Sequence, residues 1–421
     1  MDLENNDLNQ KIYLDFNATT PLDKQVIDSI TKAFSENWSN PSSQYVAGKQ
    51  AKSEINKSRQ LIAEMINANS PRDILFVSGG TEANNLVFYS VFKHYKNLVK
   101  ENNELKVKPH FIISNVEHDS VKLVAENYEK DNLAEISYAN VNSHGTVEVN
   151  DIIGLIRPNT ILISIMLANN ETGVIQPLKE LTLELKKLGI QSSNSTRAVP
   201  LYVHTDAAQA IGKIKVDVED LQVDYLTIVG HKFYGPKIGA LYARNFLAQN
   251  IDNLKKAPIC NLFYGAGQEN GLRPGTENTP MIVGLGKAAE LVTKNLEQYS
   301  SHMKEIRDYL EEKLIENFGA ENLSFNGKSN KSTRLPNTCN VSFIQSQEFK
   351  GYVVLGRCKY LEASTGSCCH SGEFKASKIL LAMNIDKSIA SNALRLSIGR
   401  ETSKNDIDLV IQDLKDTLNL I

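Results

Sequence analysis

The chain is poor in cysteine: five in 421 residues, an odd number with no framework spacing. That usage excludes a disulfide scaffold and fits free thiols in a reducing compartment. It also lacks an apolar stretch of membrane-spanning length. The longest run, Ile161 to Ala168, is already broken by Ser164, whereas crossing a bilayer takes about 20 residues. There is no basic stripe and no polybasic run. The net charge is −3, with 46 Lys and Arg interspersed among 49 Asp and Glu. Neither nucleic acid nor a membrane surface is therefore an expected partner. The opening MDLENNDLNQ has neither the apolar core of a secretion signal nor the Arg-rich pattern of a mitochondrial presequence, so the expected location is the cytosol. Internal repeats and low-complexity tracts are missing as well.

A hydrophobic content of 41% and a charged content of 23% are enough for a sizeable core and a soluble surface. The length suits one very large domain or two ordinary ones. Residues 1–10 are polar and expected to be disordered, and a short strand follows over Lys11–Asn17. Helical spacing runs through Val26, Ile30 and Ala33, and again through Ile55, Ile62 and Ile66. From residue 73 onward strand and helix alternate. Strands are expected at Ile74–Val77, Phe111–Ser114, Ile136–Ala139, Thr160–Leu167, Leu201–His204, Tyr225–Val229 and Ile238–Ala243. A helix is expected over Glu82–Tyr95, with loops at 97–109 and 191–198. This alternation predicts an α/β fold with a mostly parallel sheet covered on both faces. After Gly275 the pattern changes. A long helical stretch over 279–317, broken once near 298–301, precedes strands at Asn340–Phe343 and Ala393–Ile398 and a final helix. These elements predict a smaller α+β domain.

Several strand ends carry polar residues suited to chemistry. Lys232 sits on the turn after Tyr225–Val229, and Asp206 ends the strand before it. An acid and a lysine on neighbouring strand ends are what pyridoxal phosphate (PLP) chemistry requires: the lysine forms a Schiff base and the acid pairs with the pyridine nitrogen. A lysine on an exposed loop is the plainer reading. Ser78-Gly79-Gly80-Thr81, between a strand and a helix, can cup a phosphate or merely cap the helix. His118 follows a third strand and can stack on a flat ring or remain an ordinary loop residue. Asn169-Asn170-Glu171-Thr172-Gly173 offers amide donors after a fourth. Ligands of open α/β sheets bind at this edge. The small-residue loop Ala363–Ser371 carries Cys368, Cys369 and His370, which read as an activated thiol, a metal-ligand fragment or a plain buried thiol. Arg395, on a strand among apolar residues, needs an anionic partner. That partner is either a substrate carboxylate or a structural acid.

Taken in order, DFNATTP, NPSS, SGGTEANN, VEHDS, LANNETG, HTDAAQA, GHKFYGP, RPGTEN, the cysteine loop and RLSIGR resemble the cysteine desulfurase and selenocysteine lyase family of fold-type-I PLP enzymes. The resemblance covers residues 11 to 420. TIVGHKFYGP, RLPNTCN and DYLEEKL are most similar to the selenocysteine lyase branch. It implies a large PLP-binding domain over 31–275, a small domain over 276–421 carrying the cysteine loop, and an N-terminal segment (1–30) packed on the small domain.

The resemblance also implies roles. Lys232 would hold PLP covalently and move the substrate's α-proton, and Asp206 would pair with the ring nitrogen. Gln209 and Asn169 would bond the ring oxygen, and His118 would stack on the ring and take part in catalysis. Gly80, Thr81 and His231 would bind the phosphate, with Thr276 reaching across from the other subunit of a homodimer. Arg395 and Asn17 would hold the substrate carboxylate. Cys369 would be the nucleophile, attacking or protonating the leaving selenium, and no metal is called for. Two positions depart from the desulfurase pattern: Val229 replaces a serine that contacts phosphate, and Tyr45 stands where a histidine is common. The implied activity is decomposition of L-selenocysteine to L-alanine and reduced selenium, which is passed to a selenium acceptor protein. The alternative is a cysteine desulfurase acting on L-cysteine, and a further one is an inactive scaffold of the same fold.

Overall fold

The computed structural model describes residues 11–101, 107–190, 197, 199–248, 256–344, 349–366 and 376–419. The expected disordered start, most of the 191–198 loop and the cysteine loop from Ser367 to Lys375 lie outside these residues.

The first strand, β1 (Ile12–Tyr13), is shorter than the expected Lys11–Asn17. The segment changes partner midway, which ends the ladder: the Leu14 N–H donates to the Glu362 carbonyl, whereas the Phe16 N–H donates to that of Ser397. The strands β2 (Ile74–Val77), β3 (His110–Ser114), β4 (Glu135–Ala139), β5 (Thr160–Ser164), β6 (Tyr202–Asp206), β7 (Tyr225–Val229) and β8 (Gly239–Ala243) form one seven-stranded sheet in the order β2-β8-β7-β6-β5-β3-β4. Only β8 runs antiparallel to its neighbours, and the other ladders are parallel. The mostly parallel sheet is thus present. Its strands read as solid apolar runs because both faces are covered. In β2, Ile74 and Phe76 enter one core, and Leu75 and Val77 enter the other. Beyond Ser164 the chain still runs beside β6, with Ile165 and Leu167 N–H groups donating to the carbonyls of His204 and Asp206.

Two helices outrun their sequence expectations. The helix after β2 spans Gly80–Glu101, past the expected start of a loop at 97. Residues 96–101 contain no Gly or Pro, and Val99 packs on the core beneath. The helix Thr279–Phe318 is continuous over 40 residues, with no break at 298–301. Tyr299 and two serines are only mild helix formers, but the two halves are buried against different cores. Ile282, Leu285 and Ala289 pack into the core of the large sheet. Met303, Ile306, Leu310 and Leu314 pack into a second core. That second core belongs to β9 (Leu323–Phe325), β10 (Thr338–Phe343) and β12 (Ala393–Ser397), an antiparallel sheet in the order β12-β10-β9. Beside it, β11 (Leu361–Glu362) pairs in parallel with β1. Ile12 and Leu14 belong to this second core.

The carboxyl ends of β3 and β5 are joined by a buried acid. Glu117 Oε1 accepts the Ser114 hydroxyl at 2.6 Å and the Met166 N–H at 2.8 Å. Its Oε2 is buried without a hydrogen-bond partner. Desolvation, with a further push from Asp206, raises the Glu117 pKa from 4.5 to about 8, so the carboxyl is protonated at neutral pH. The unfolded chain releases this proton near its ordinary value, whereas the folded chain keeps it up to about 8. Between those values the unfolded state binds fewer protons, and stability falls as pH rises. Glu117→Gln keeps an acceptor oxygen and removes the titration. Its thermal midpoint, taken relative to the wild type, should climb from about pH 5 to about pH 8. A difference that stays constant over that range would refute a neutral Glu117.

Candidate active site

The strand ends converge on a cavity of about 320 Å³. That is near the lower end of the roughly 300–1,000 Å³ usual for small-molecule sites. Lys232 stands in a 3₁₀ turn, Gly230–Lys232, between β7 and β8. Because β7 and β8 are paired up to Val229 and Gly239, this turn is pinned at its base. The turn leaves little room. A Cβ on Gly230 would come within 2.4 Å of the Pro236 carbonyl oxygen. The Lys232 Nζ donates to the carbonyls of Asn17 and Ala18, at 2.7 Å each. The N-terminal segment therefore orients the amine.

Asp206 ends β6 and is nearly buried, at 8% exposure. Its Oδ1 accepts the Ala208 N–H and its Oδ2 the Asn84 side chain, both at 2.9 Å. Gly80 and Thr81 line the cavity at the start of the 22-residue helix that follows β2. Unpaired backbone N–H groups and the helix dipole favour an anion there. Gly80 is required by packing, since a Cβ would meet Val229 Cγ2 at 2.6 Å. Val229 thus fills space against the cup where a serine would donate a hydrogen bond. His231 also lines the cavity, with Nδ1 3.1 Å from the Thr19 hydroxyl. Burial, then Lys232 and Lys237, lower its pKa to about 4, so the ring is neutral.

At the other end Arg395, on β12, is 3% exposed. It pairs with Asp15 at 2.6 Å and donates to the Asn170 carbonyl at 3.1 Å, while its Nε is buried without a partner. The structural ion pair expected of this arginine is present, and the arginine also lines the cavity. Asn17 and Gln209 line it too, joined by the Gln209 Nε2 donating to the Asn17 carbonyl at 3.0 Å. Behind them lies Lys213, 3% exposed. Its Nζ bonds Gln209 Oε1 at 2.8 Å and Asn17 Oδ1 at 3.2 Å. Burial, then Lys232 and Arg395, push its pKa well below the ordinary lysine value.

Among the described residues, two of those expected do not line the cavity, Asn169 and Thr276. Asn169 is buried with its side chain turned into its own loop. Its Oδ1 accepts the N–H groups of Glu171 (2.9 Å) and Thr172 (3.0 Å), and Asn170 lines the cavity instead. Asparagine followed by a tight turn readily forms such an Asx turn, and that signal would have moved the assignment by one residue. Thr276 is exposed on this chain and away from its own cavity. Cys369 lies outside the described residues. Conversely, Ser120, Asn84 and Lys213 were not singled out by the sequence. Asn84 and Lys213 are common polar residues whose burial only the tertiary structure reveals, and Ser120 is a half-buried serine at the cavity wall.

The donor set fits PLP: an amine for its aldehyde, a carboxylate for its ring nitrogen, a helix N-terminus with no room for a Cβ at Gly80 for its phosphate, and an imidazole wall at His118. Arg395 Nε adds an unpaired buried donor at the other end of the cavity.

Comparisons with known proteins agree. The aminotransferase class-V family model matches residues 12–410. The selenocysteine lyase of Rattus norvegicus is 49% identical over 421 residues, covering 98% of this chain and 95% of that protein. A cysteine desulfurase, IscS of Clostridium botulinum, is 36% identical over 97% of this chain and 94% of its own length. A solved NifS-like protein superposes with a TM-score of 0.82 at 30% identity, covering 98% of this chain and all of that one. The residues that line the cavity and these matches lead to one conclusion: the chain belongs to the aminotransferase class-V family of PLP-dependent enzymes, among the selenocysteine lyases and cysteine desulfurases.

Proposed function

We propose that the chain is a selenocysteine lyase, converting L-selenocysteine to L-alanine and zero-valent selenium carried on a thiol, from which an external two-electron donor such as a second thiol releases selenide. Near-full-length identity of 49% to the rat lyase, against 36% to the bacterial desulfurase, carries this reading. PLP, when bound, supplies an electron sink that acidifies the substrate's α-proton and labilises its β-substituent. Lys232 anchors the group, and its Nζ, held over the cavity by the carbonyls of Asn17 and Ala18, is placed to accept and return that proton. Asp206 would accept a hydrogen bond from the ring nitrogen, its carboxyl already oriented by Asn84 and the Ala208 N–H. Arg395 grips the substrate carboxylate, its orientation already set by Asp15. Cys369 is the residue we assign to take the selenium: its sulfur bonds to selenium as the carbon–selenium bond breaks, the electron pair stays on carbon and is protonated to give the alanine methyl group, and the selenium remains on Cys369 as a selenosulfide. A selenol is a stronger acid than a thiol, so the substrate presents an anion where cysteine presents a neutral group.

We further assign the active form as a cytosolic homodimer in which Thr276 serves the partner's cavity. Thr276 is exposed on the single chain, as are Trp38 (75%), Tyr264 (78%), Tyr45 and Val46. Large exposed apolar side chains of this kind support a contact with a second copy.

Desulfurase activity on L-cysteine is the second reading, favoured by the same Lys232, Asp206 and Arg395. Alanine release measured from both amino acids separates the two. The lyase reading expects turnover on selenocysteine at least about 100-fold above that on cysteine, a gap equal to about 2.7 kcal/mol of transition-state discrimination. Comparable rates would transfer the chain to the desulfurases. Lys232→Ala should abolish the absorbance of the lysine-linked cofactor and slow turnover by at least about 10²-fold. Cys369→Ala should keep that absorbance and lose selenium release, whereas an active variant would move the role to Cys368. Arg395→Lys cannot reproduce two parallel N–H···O contacts and should raise KM by about 10-fold or more, with kcat less affected.

A further inference from the structure

Beneath the cavity floor lies a chain of polar side chains that the proposed chemistry does not use. Asn84, on the helix after β2, is fully buried, as are Thr227 on β7, His204 on β6 and Ser164 on β5. The Asn84 Nδ2 lies 2.9 Å from Asp206 Oδ2 and 2.8 Å from the Ser120 hydroxyl. Its Oδ1 lies 2.7 Å from the Thr227 hydroxyl. Thr227 in turn lies 3.1 Å from His204 Nε2, and His204 Nδ1 lies 2.8 Å from the Ser164 hydroxyl. On the other branch the Ser120 hydroxyl lies 2.8 Å from His118 Nδ1, which also receives the Ser120 backbone N–H at 3.1 Å.

The direction of every bond follows from one end. A carboxylate at Asp206 only accepts, so the NH₂ end of the Asn84 amide faces it, and its two protons serve Asp206 and Ser120. The amide oxygen then faces Thr227, whose hydroxyl must donate. Having spent its proton there, Thr227 accepts from His204, which places that ring's proton on Nε2 and leaves Nδ1 to accept from Ser164. Burial lowers the His204 pKa to about 4, in keeping with a ring that carries a single proton. Ser120, accepting from Asn84, donates to His118 Nδ1. With two donors on Nδ1, the His118 ring carries its proton on Nε2.

We propose that Asn84 is a positioning residue, whose buried amide holds Asp206 and the Ser120–His118 pair as one unit at the end of a one-way relay from Ser164 through His204 and Thr227. The acid under the ring site and the imidazole beside it are then not independently mobile. His118 offers the cavity an N–H rather than a lone pair. The relay stands on the chain's own contacts, while its bearing on cofactor binding rests on the function proposed above.

Nitrogen-15 NMR of PLP-loaded enzyme labelled in the histidine rings reads the two tautomers, with assignment by His118→Gln and His204→Gln. The wild type should show the ring proton on Nε2 in both His204 and His118. In Asn84→Leu the Thr227 hydroxyl loses its acceptor and turns to His204 Nε2, so the His204 proton should move to Nδ1. The same variant, stripped of cofactor and titrated with PLP, should bind it about 10- to 100-fold more weakly, as expected for one lost hydrogen bond to a charged group. Should Asn84→Leu fail to fold, Thr227→Val gives the same reading. It leaves His204 Nε2 without a partner and should also shift the proton to Nδ1, with a smaller loss of PLP affinity. Protons on Nδ1 of His204 or His118 in the wild type would overturn the relay. So would an Asn84→Leu or Thr227→Val enzyme whose His204 proton stays on Nε2. Asn84→Leu with PLP affinity within about 2-fold of wild type would overturn the role in holding the cofactor. The wild-type tautomers can also be read in chain stripped of cofactor, so failure of the lyase assignment is distinguishable from failure of the relay.

Discussion

Asn17 is the point where the pieces of this molecule are tied. Its backbone N–H donates to the Ser397 hydroxyl on the small sheet, and its side-chain NH₂ donates to the Asn170 carbonyl and to Thr338. Its side-chain oxygen accepts from Lys213 and Asn337, and its carbonyl accepts from Gln209 and Lys232. One buried residue thus satisfies groups from the N-terminal segment, the large sheet and the small sheet. Buried polar groups left unpaired are costly, so each neighbour is constrained by the same demand. The orientation of Lys232 depends on this knot as much as on its own turn.

The charges of the site obey a similar economy of position. Lys232 and Arg395 lie close enough to Lys213 to help its burial push that amine's pKa well below the ordinary lysine value. Near them Glu117 is kept neutral by burial and by Asp206. The floor beside the ring site therefore contains two carboxyl groups of which burial neutralises one, a common way for neighbouring acids to take different roles. A cavity lined by the Lys232 amine and the Arg395 guanidinium suits a ligand with several negative groups, such as a phosphate and a carboxylate.

Much of this was legible in the sequence, for reasons that differ by element. Strands such as Ile74–Val77 and Tyr225–Val229 are short apolar runs bounded by turn residues, and the structure places them at those residues. Lys232, Asp206, His118, Gly80 and Arg395 were legible because polar residues at the ends of such strands have few other uses. Asn169 and Asn170 were not separable: adjacent identical residues leave only backbone geometry to decide which one turns inward. Asn84 and Lys213 were invisible for another reason. A polar residue on a helix or in a turn looks solvent-facing until the partners that bury it are known, and those partners lie 122 or more positions away for Asp206 and Asn17. The unbroken helix Thr279–Phe318 was missed because local propensity near Tyr299 is weak, whereas packing on both sides is strong.

That helix has a consequence for how the molecule holds together in time. At about 1.5 Å per residue it is a rod of roughly 60 Å, shared by two hydrophobic cores. A linker would let each core open and close alone. A shared rod does not, because losing either half frays the element on which the other is built. The two cores are therefore mechanically coupled, and the arginine on β12 and the lysine beyond β7 keep a common frame of reference. Local opening that frees one wall of the cavity is correspondingly discouraged, and the low-energy fluctuations of the chain should gather in its surface loops instead.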